Sequence, residues 1–356
     1  MRIAQVAPMF ESVPPSGYGG TERVVSYLTE TLVELGHEVT LFASGDSVTS
    51  AELVAVCPRS LRGRRDNTDW TAWHMLMLDQ VFERAAEFDV IHFHVDYLHY
   101  PMARHCVAPC LTTLHGRLDL SHMRPLHRHF CELPLVAISN HQRRQMPPDA
   151  HFVDTVYHGL PADLYGFTAR PSGYFAFVGR ISPEKRLDRA IEIALACKTP
   201  LLVAAKVDSA DEDYFESAIR PLLDHALIKF IGEVDDAGKN SLLGSARALL
   251  FPIDWPEPFG LVLIEALACG TPVIAYGHGS VPELLEHEVT GFIVPDQRAA
   301  IEAARHIDAI DRRRCRQVFE QRFSAQVMAE RYLSVYRTLI AARPRIPLDL
   351  TAAGAK

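Results

Sequence analysis

WPEPFGLVLIEALACGTPVIA, residues Trp255–Ala275, passes from a loop to a helix, a stop and a strand. Pro256 and Pro258 flank Glu257 and hold it in extended backbone. The apolar residues Phe259, Leu261, Val262, Leu263 and Ile264 predict a buried helix. Gly270 ends it, and Thr271-Pro272 leads into the strand "VIA". Two glutamates, Glu257 and Glu265, stand eight positions apart. On one helix they would lie ~12 Å apart along the axis and ~80° apart around it. Carboxylates that flank one reacting bond sit ~5–10 Å apart on separate supports. With Glu257 in the loop before the helix and Glu265 on its flank, the pair suits the two parts of a long ligand better than a proton relay.

The same strand–loop–helix rhythm extends over almost the whole chain, the pattern of parallel α/β sheets. In the first half the strands are "RIAQVA", "EVTLFA", "DVIHFH", "CLTTLH" and "LVAIS"; in the second they are "YFAFVGR", "PLLVAA", "LIKFIG", "RALLFP", "PVIAY" and "GFIVP". A helix, "TERVVSYLTETLVEL", follows the first strand, opened by Thr21 and closed by Gly36. Between the two sets, "HGLPADLYGFTARPSGY" has little periodicity and several Pro and Gly, which marks a boundary near residue 165. The expected organisation is an α/β chain of two Rossmann-like domains, 1–165 and 166–325, whose parallel sheets face each other across a cleft. A helix over 326–342 would pack back toward the first domain, and 343–356 would be a disordered tail. Ligands of such folds bind at the carboxyl ends of the strands.

Composition excludes several functions. With 356 residues and 48% hydrophobic content the chain can fill two cores, and a net charge of −8 argues against nucleic acid as a partner. No run of apolar residues is long enough to span a membrane, and no apolar signal core precedes Glu11. Seven scattered cysteines without a CxxC fit buried thiols in a reducing cytosol. His92 and His94 share one face of a strand, but no third metal ligand can be placed. Asp211 and Asp213 in "DED" stand where a helix should begin, and acidic residues favour a first turn without any ligand.

The unusual clusters all follow strands. Gly17, Gly19 and Gly20 precede a helix, so backbone N–H groups there can approach an anion. The loop fails as a dinucleotide fingerprint, because Glu22 replaces the third glycine. Arg180 and Lys185 meet at one strand–helix junction, a planar fork beside a point charge, which suits a pyrophosphate. Free N–H groups around Phe259, Gly260 and Leu261 would add to that phosphate site. Neutral hydroxyls are natural partners for Glu257 and Glu265, since an ionised carboxylate only accepts hydrogen bonds. His115, after "CLTTL", would stand at the mouth of the first sheet.

In their order, from "YGGTERVVSYL" through "DVIHFH", "LHG", "AISN", "HGLP", "FVGRISPEKRLDRAI" and "FIGEV" to "PEPFGLVLIEALACGTPVIA", these motifs resemble a family 4 glycosyltransferase of GT-B architecture. The resemblance implies retaining transfer of a hexosyl unit from a UDP- or GDP-sugar to a hydroxyl acceptor: a glycan, a lipid-linked acceptor or a small molecule. It implies no cofactor and no metal, the nucleotide sugar being a substrate. Arg180 and Lys185 would hold the diphosphate, and Gly19 and Gly20 would close on it. Glu265 would bind the ribose, and Glu257 with the Phe259–Leu261 amides the donor sugar. His115 would touch that sugar from the other domain, and Gly232 to Val234 would line the base pocket. Two residues depart from the family pattern: Pro258 stands where glycine is frequent, and His158 where asparagine is common. Two other functions compete, a sugar-nucleotide epimerase of similar fold and a non-catalytic sugar-nucleotide-binding protein. The expected location is cytoplasmic. Peripheral contact with the inner membrane surface through Arg117–Phe130, which mixes basic and apolar residues, is an extension of that reading; a solvated helix is the plainer one.

Overall fold

Thirteen strands, each parallel to its neighbours, form two sheets among the described residues of the computed structural model, which are 1–17, 19–62 and 69–342. The tail expected at 343–356 lies outside the described residues. The first sheet contains β1 (Arg2–Val6), β2 (Glu38–Ser44), β3 (Glu52–Cys57), β4 (Val90–Phe93), β5 (Cys110–Leu114), β6 (Leu135–Ala137) and β7 (Phe152–Thr155), in the order β3-β2-β1-β4-β5-β6-β7. The second contains β8 (Phe175–Arg180), β9 (Leu201–Lys206), β10 (Ile228–Gly232), β11 (Ala248–Phe251), β12 (Val273–Tyr276) and β13 (Gly291–Val294), in the order β10-β9-β8-β11-β12-β13. Helices cover both faces, so the inner strands are near-continuous apolar runs.

β3 and β7 were not expected from the sequence. Both lie at the edges of the first sheet and are only partly buried, so "ELVAVC" and "FVDT" lack the apolar run that marks an inner strand. The first helix, Gly20–Glu34, starts one residue before Thr21, and its cap Gly19 makes no side-chain hydrogen bond.

Each sheet reverses its strand order at one point, between β1 and β4 in the first and between β8 and β11 in the second. Such reversals leave a crevice outside the carboxyl ends of the strands. The glycine loop follows β1, Arg180 ends β8, and the loop carrying Glu257 follows β11. Topology therefore brings these segments to two facing crevices.

The chain crosses between domains twice, side by side. Leu160 and Ser324 form an isolated bridge, with Leu160 N–H donating to Phe323 O at 2.9 Å and Ala325 N–H to Leu160 O at 2.7 Å. Arg312 anchors the connecting segment: its buried guanidinium donates to the carbonyls of Thr168, Gly244 and Ala246 and to Thr271 Oγ1. The terminal helix, Ala325–Ala342, lies beside the first helix and reaches β4. Its Tyr336 and Tyr332 are fully buried in the layer that also holds Ile3 and Leu28.

Candidate functional site

Between the carboxyl edges of the two sheets lies a cavity of about 710 Å³, lined from both domains. On the second domain its lining includes Trp255, Glu257, Phe259, Gly260, Leu261 and Glu265. Helix Leu261–Ala268 begins after Gly260, whose φ of 87° is the left-handed conformation that glycine adopts without strain. The loop before it is held from behind. Ser280 donates from its side chain to Phe259 O at 2.6 Å and from its backbone to Glu257 O at 3.0 Å. Gly279 passes so close that a Cβ there would stand 2.3 Å from Glu257 N. From the first domain, Ser139 Oγ donates to Pro258 O at 2.7 Å. The N–H groups of Phe259, Gly260 and Leu261 make no hydrogen bond among the described residues, and all three residues border the cavity.

The cations expected at the phosphate site are present, and each is paired with a carboxylate. Lys185 lies in the turn after β8 and donates from Nζ to Glu257 Oε2. The indole N–H of Trp255 donates to the same oxygen at 2.9 Å. This leaves Glu257 Oε1 without a protein donor among the described residues. Arg180 donates to Glu184 Oε1 at 2.6 Å and lies 3.7 Å from Asp208 and 3.5 Å from Asp211. Asp211 does not cap its helix through its side chain; it faces Arg180 instead. Among the described residues, no group of three His, Cys, Asp or Glu side chains is arranged to hold a metal ion.

Glu265 is buried on the flank of the helix and also lines the cavity. Its Oε1 accepts from Lys239 Nζ at 2.6 Å, a partner that sequence reasoning missed. Lys239 also lies 3.1 Å from Asp236. Burial is the largest influence on the Lys239 pKa and lowers it, but the Glu265 and Asp236 carboxylates together make the net shift upward. Asp236 in turn accepts from Arg23 on the first helix and from Tyr165 of the linker. Arg23 also donates to Gly17 O at 3.0 Å, so one side chain ties the glycine loop to the opposite domain. Lys206 and Arg117 line the cavity as well; Lys206 was not singled out from the sequence, and Arg117 only as the start of the basic stretch Arg117–Phe130. Their only signal as cavity residues was position just after a strand.

Gly19 and Gly20 line the cavity from the first domain, and a Cβ on Gly20 would stand 3.6 Å from Leu261 Cδ1. The loop thus lies against the helix mouth across the cleft. Val234 also lines the cavity, together with Glu233 and Asp235. Gly232, expected beside them, does not. It ends β10 where the register against β9 shifts, and the chain turns toward the cavity only after it.

His115 lines the first-domain side. Its Nε2 bonds to His94 Nδ1 at 2.8 Å, and its Nδ1 is shielded from solvent without a partner. The ring of His158 stacks on it, 5.2 Å away and tilted by 16°, and packs against Phe259 at 4.7 Å. Burial pushes the His115 pKa down to about 3 and holds those of His94 and His158 well below the ordinary range. All three rings are therefore neutral at neutral pH.

With this geometry in view, two family models cover most of the chain: "Glycosyltransferase Family 4" matches residues 18–173 and "Glycosyl transferases group 1" matches residues 169–321. This chain is a family 4 glycosyltransferase of GT-B fold. It is 29% identical to a phosphatidyl-myo-inositol mannosyltransferase of Mycolicibacterium smegmatis, over 98% of this chain and 97% of that protein. Among solved structures it is similar to AviGT4, a glycosyltransferase involved in avilamycin A biosynthesis, with 25% identity, a TM-score of 0.74 and coverage of 96% and 99% of the two chains. Sucrose-phosphate synthase of Thermosynechococcus elongatus shares the fold, with a TM-score of 0.79 at 19% identity over 96% of this chain and 100% of that one. Membership favours glycosyl transfer over the epimerase and the non-catalytic binding protein.

The Arg117–Phe130 stretch of this glycosyltransferase turns Leu118, His127 and Phe130 inward and half-buries Leu126. Arg124, Arg128, His122 and His129 remain at the surface. No helix among the described residues is long and apolar enough to cross a membrane.

Proposed function

We propose that this glycosyltransferase moves a hexosyl unit from a UDP- or GDP-sugar to a hydroxyl acceptor, with retention at the anomeric carbon and without a metal ion. The observation that carries the reading is that Arg180, Lys185 and the Phe259–Leu261 amides, the last unpartnered among the described residues, belong to the lining of one cavity. A departing nucleotide diphosphate develops negative charge, and preorganised cations and helix-mouth N–H groups stabilise it where water is excluded. The Glu184 carboxylate now paired with Arg180 occupies a position that a phosphate oxygen would take over, and the Lys185 ammonium, which gives one N–H to Glu257, has further N–H groups for phosphate.

Glu265 lies at the nucleoside end, where its carboxylate accepts from ribose hydroxyls. Glu257 contacts the transferred sugar through Oε1, while Lys185 and Trp255 hold Oε2. In a front-face transfer the acceptor O–H loses its proton to the leaving phosphate oxygen. The acceptor oxygen bonds the anomeric carbon on the side that the phosphate leaves, so no protein nucleophile is needed. The likeness to a protein named as a mannosyltransferase supports a hexosyl donor and keeps a lipid-linked acceptor among the three classes.

The test begins with a thermal-stability screen of nucleotide sugars, in which ligand at ~100 times its dissociation constant adds ~2.7 kcal/mol. The best donor is then supplied with candidate acceptors, with and without chelator, and the anomeric configuration of the product is read by NMR. Retained configuration and full activity in chelator are expected. An inverted product would remove the front-face mechanism, and activity that returned only with added Mg²⁺ or Mn²⁺ would remove metal independence.

A further inference from the structure

Beneath the first sheet runs a chain of buried polar side chains that the transfer chemistry does not use. Thr113 Oγ1 bonds to Tyr332 OH at 2.9 Å and to His92 Nε2 at 2.7 Å. His92 Nδ1 bonds to Tyr336 OH at 2.7 Å, and Tyr336 OH accepts from Gln5 Nε2 at 3.1 Å. Gln5 Oε1 accepts from His94 Nε2 at 2.8 Å, and His94 Nδ1 bonds to His115 Nε2 at 2.8 Å. The chain thus runs from the terminal helix, through β5, β4 and β1, to the cavity wall. Gln5, His92, Thr113, Tyr332 and Tyr336 are 0–1% exposed and His94 is 3% exposed, so water cannot substitute for any link.

We propose that Gln5 is a positioning residue that fixes the tautomer of His115 in the cavity wall, placing its proton on Nε2 and leaving Nδ1 without one. A neutral imidazole has one donor and one acceptor nitrogen, and a carboxamide has one donor end and one acceptor end. With the Gln5 oxygen toward His94, the His94 ring must donate from Nε2, so its Nδ1 must accept. His115 must then donate from Nε2, and its Nδ1 has no proton. Reversing the Gln5 amide would reverse each of these bonds and leave His115 with a buried, unpartnered N–H. An orphaned N–H is the rarer and costlier of the two ends, which favours the observed orientation. In the observed polarity His115 has no proton to give the leaving group, and its burial opposes the imidazolium form.

The effect on turnover rests on the transferase reading; the tautomer does not, and the experiment separates them. In the full-length, unliganded protein labelled with 15N, long-range proton–nitrogen correlations of His115 should show a protonated Nε2 and an unprotonated Nδ1. Gln5→Met should convert that signature to a mixture of tautomers. It should also lower kcat/KM for the donor about tenfold, the effect of one hydrogen bond, with nucleotide diphosphate affinity changed less than twofold. Tyr336→Phe, which removes the hydroxyl that holds the amide, should act in the same direction more weakly and serves if Gln5→Met does not fold. A protonated Nδ1 in the wild-type protein overturns the proposal, as does an unchanged His115 tautomer in both variants. The expected tautomer together with no turnover of any nucleotide sugar would tell against the transferase reading alone.

Discussion

The two sides of the cleft stand on similar parallel sheets, yet they handle polar groups in opposite ways. On the second domain the functional side chains are matched cation to carboxylate: Lys185 with Glu257, Arg180 with Glu184, Lys239 with Glu265. On the first domain the polar groups around His115 are neutral, dry and matched donor to acceptor. Burying an unpaired charge is costly, and a buried ion pair recovers that cost only with good partners, so the charges proposed to meet an anionic ligand each keep a carboxylate partner. Neutral groups can be buried fully if every hydrogen bond closes, and burial then fixes their direction. One side matches charges and the other matches donors to acceptors.

The largest expected effect lies on the charged side. Lys185→Ala and Arg180→Ala should each reduce turnover by at least ~100-fold with the thermal transition retained. Steady-state rates beside a melting curve check this, and near-normal turnover in both variants would remove the diphosphate assignment.

The two glutamates should fail differently. Glu257→Gln should lower turnover roughly 10–100-fold and barely change affinity for free nucleotide diphosphate, because its contacts change as the sugar is transferred. Glu265→Gln should weaken donor and diphosphate alike, as an interaction with the unchanging nucleoside does. Calorimetry with the diphosphate distinguishes them. A Glu257→Gln variant that lost diphosphate binding while Glu265→Gln kept it would reverse the ligand in the cleft.

The neutral side predicts a pH dependence of stability. Burial lowers the folded-state pKa of His92, His94, His99, His115 and His158. For a base whose folded pKa is depressed, the unfolded chain binds more protons below pH ~6.5. Stability is therefore fully present above that pH and is lost as pH falls, with a slope approaching ~1.4 kcal/mol per pH unit for each such histidine. Denaturant titrations from pH 7.5 to 5.5 should show a flat upper region and a steep lower one. A flat response throughout would mean that these rings are not held neutral by the fold.

The smallest effect concerns the tie between the two sides. A double-mutant cycle on Arg23→Gln and Asp236→Asn should give a coupling of about 1 kcal/mol, modest because Asp236 is partly exposed and also paired with Lys239. Zero coupling would show that the Arg23 pair does not help to hold the domains together.

Much of this protein is determined by its sequence. Strand-length apolar runs alternating with helical periods specify two parallel sheets, because only that arrangement buries both strand faces with short connections. "PEPFGLVLIEALACG" specifies a loop, a capped helix and a stop through Pro, Gly and apolar spacing alone, and "FVGRISPEK" places Arg180 and Lys185 at one strand end. Those are local properties, and local sequence carries them. The edge strands β3 and β7, the absence of Gly232 from the cavity lining, the meeting of Lys239 with Glu265 and the Gln5-to-His115 chain are different. Gln5 and Tyr336 are 331 positions apart, and Lys239 and Glu265 are 26 apart on separate helices. No periodicity relates such pairs; only the packing of the terminal helix beneath the first sheet, and of two neighbouring helices in the second domain, brings their polar atoms within hydrogen-bond reach.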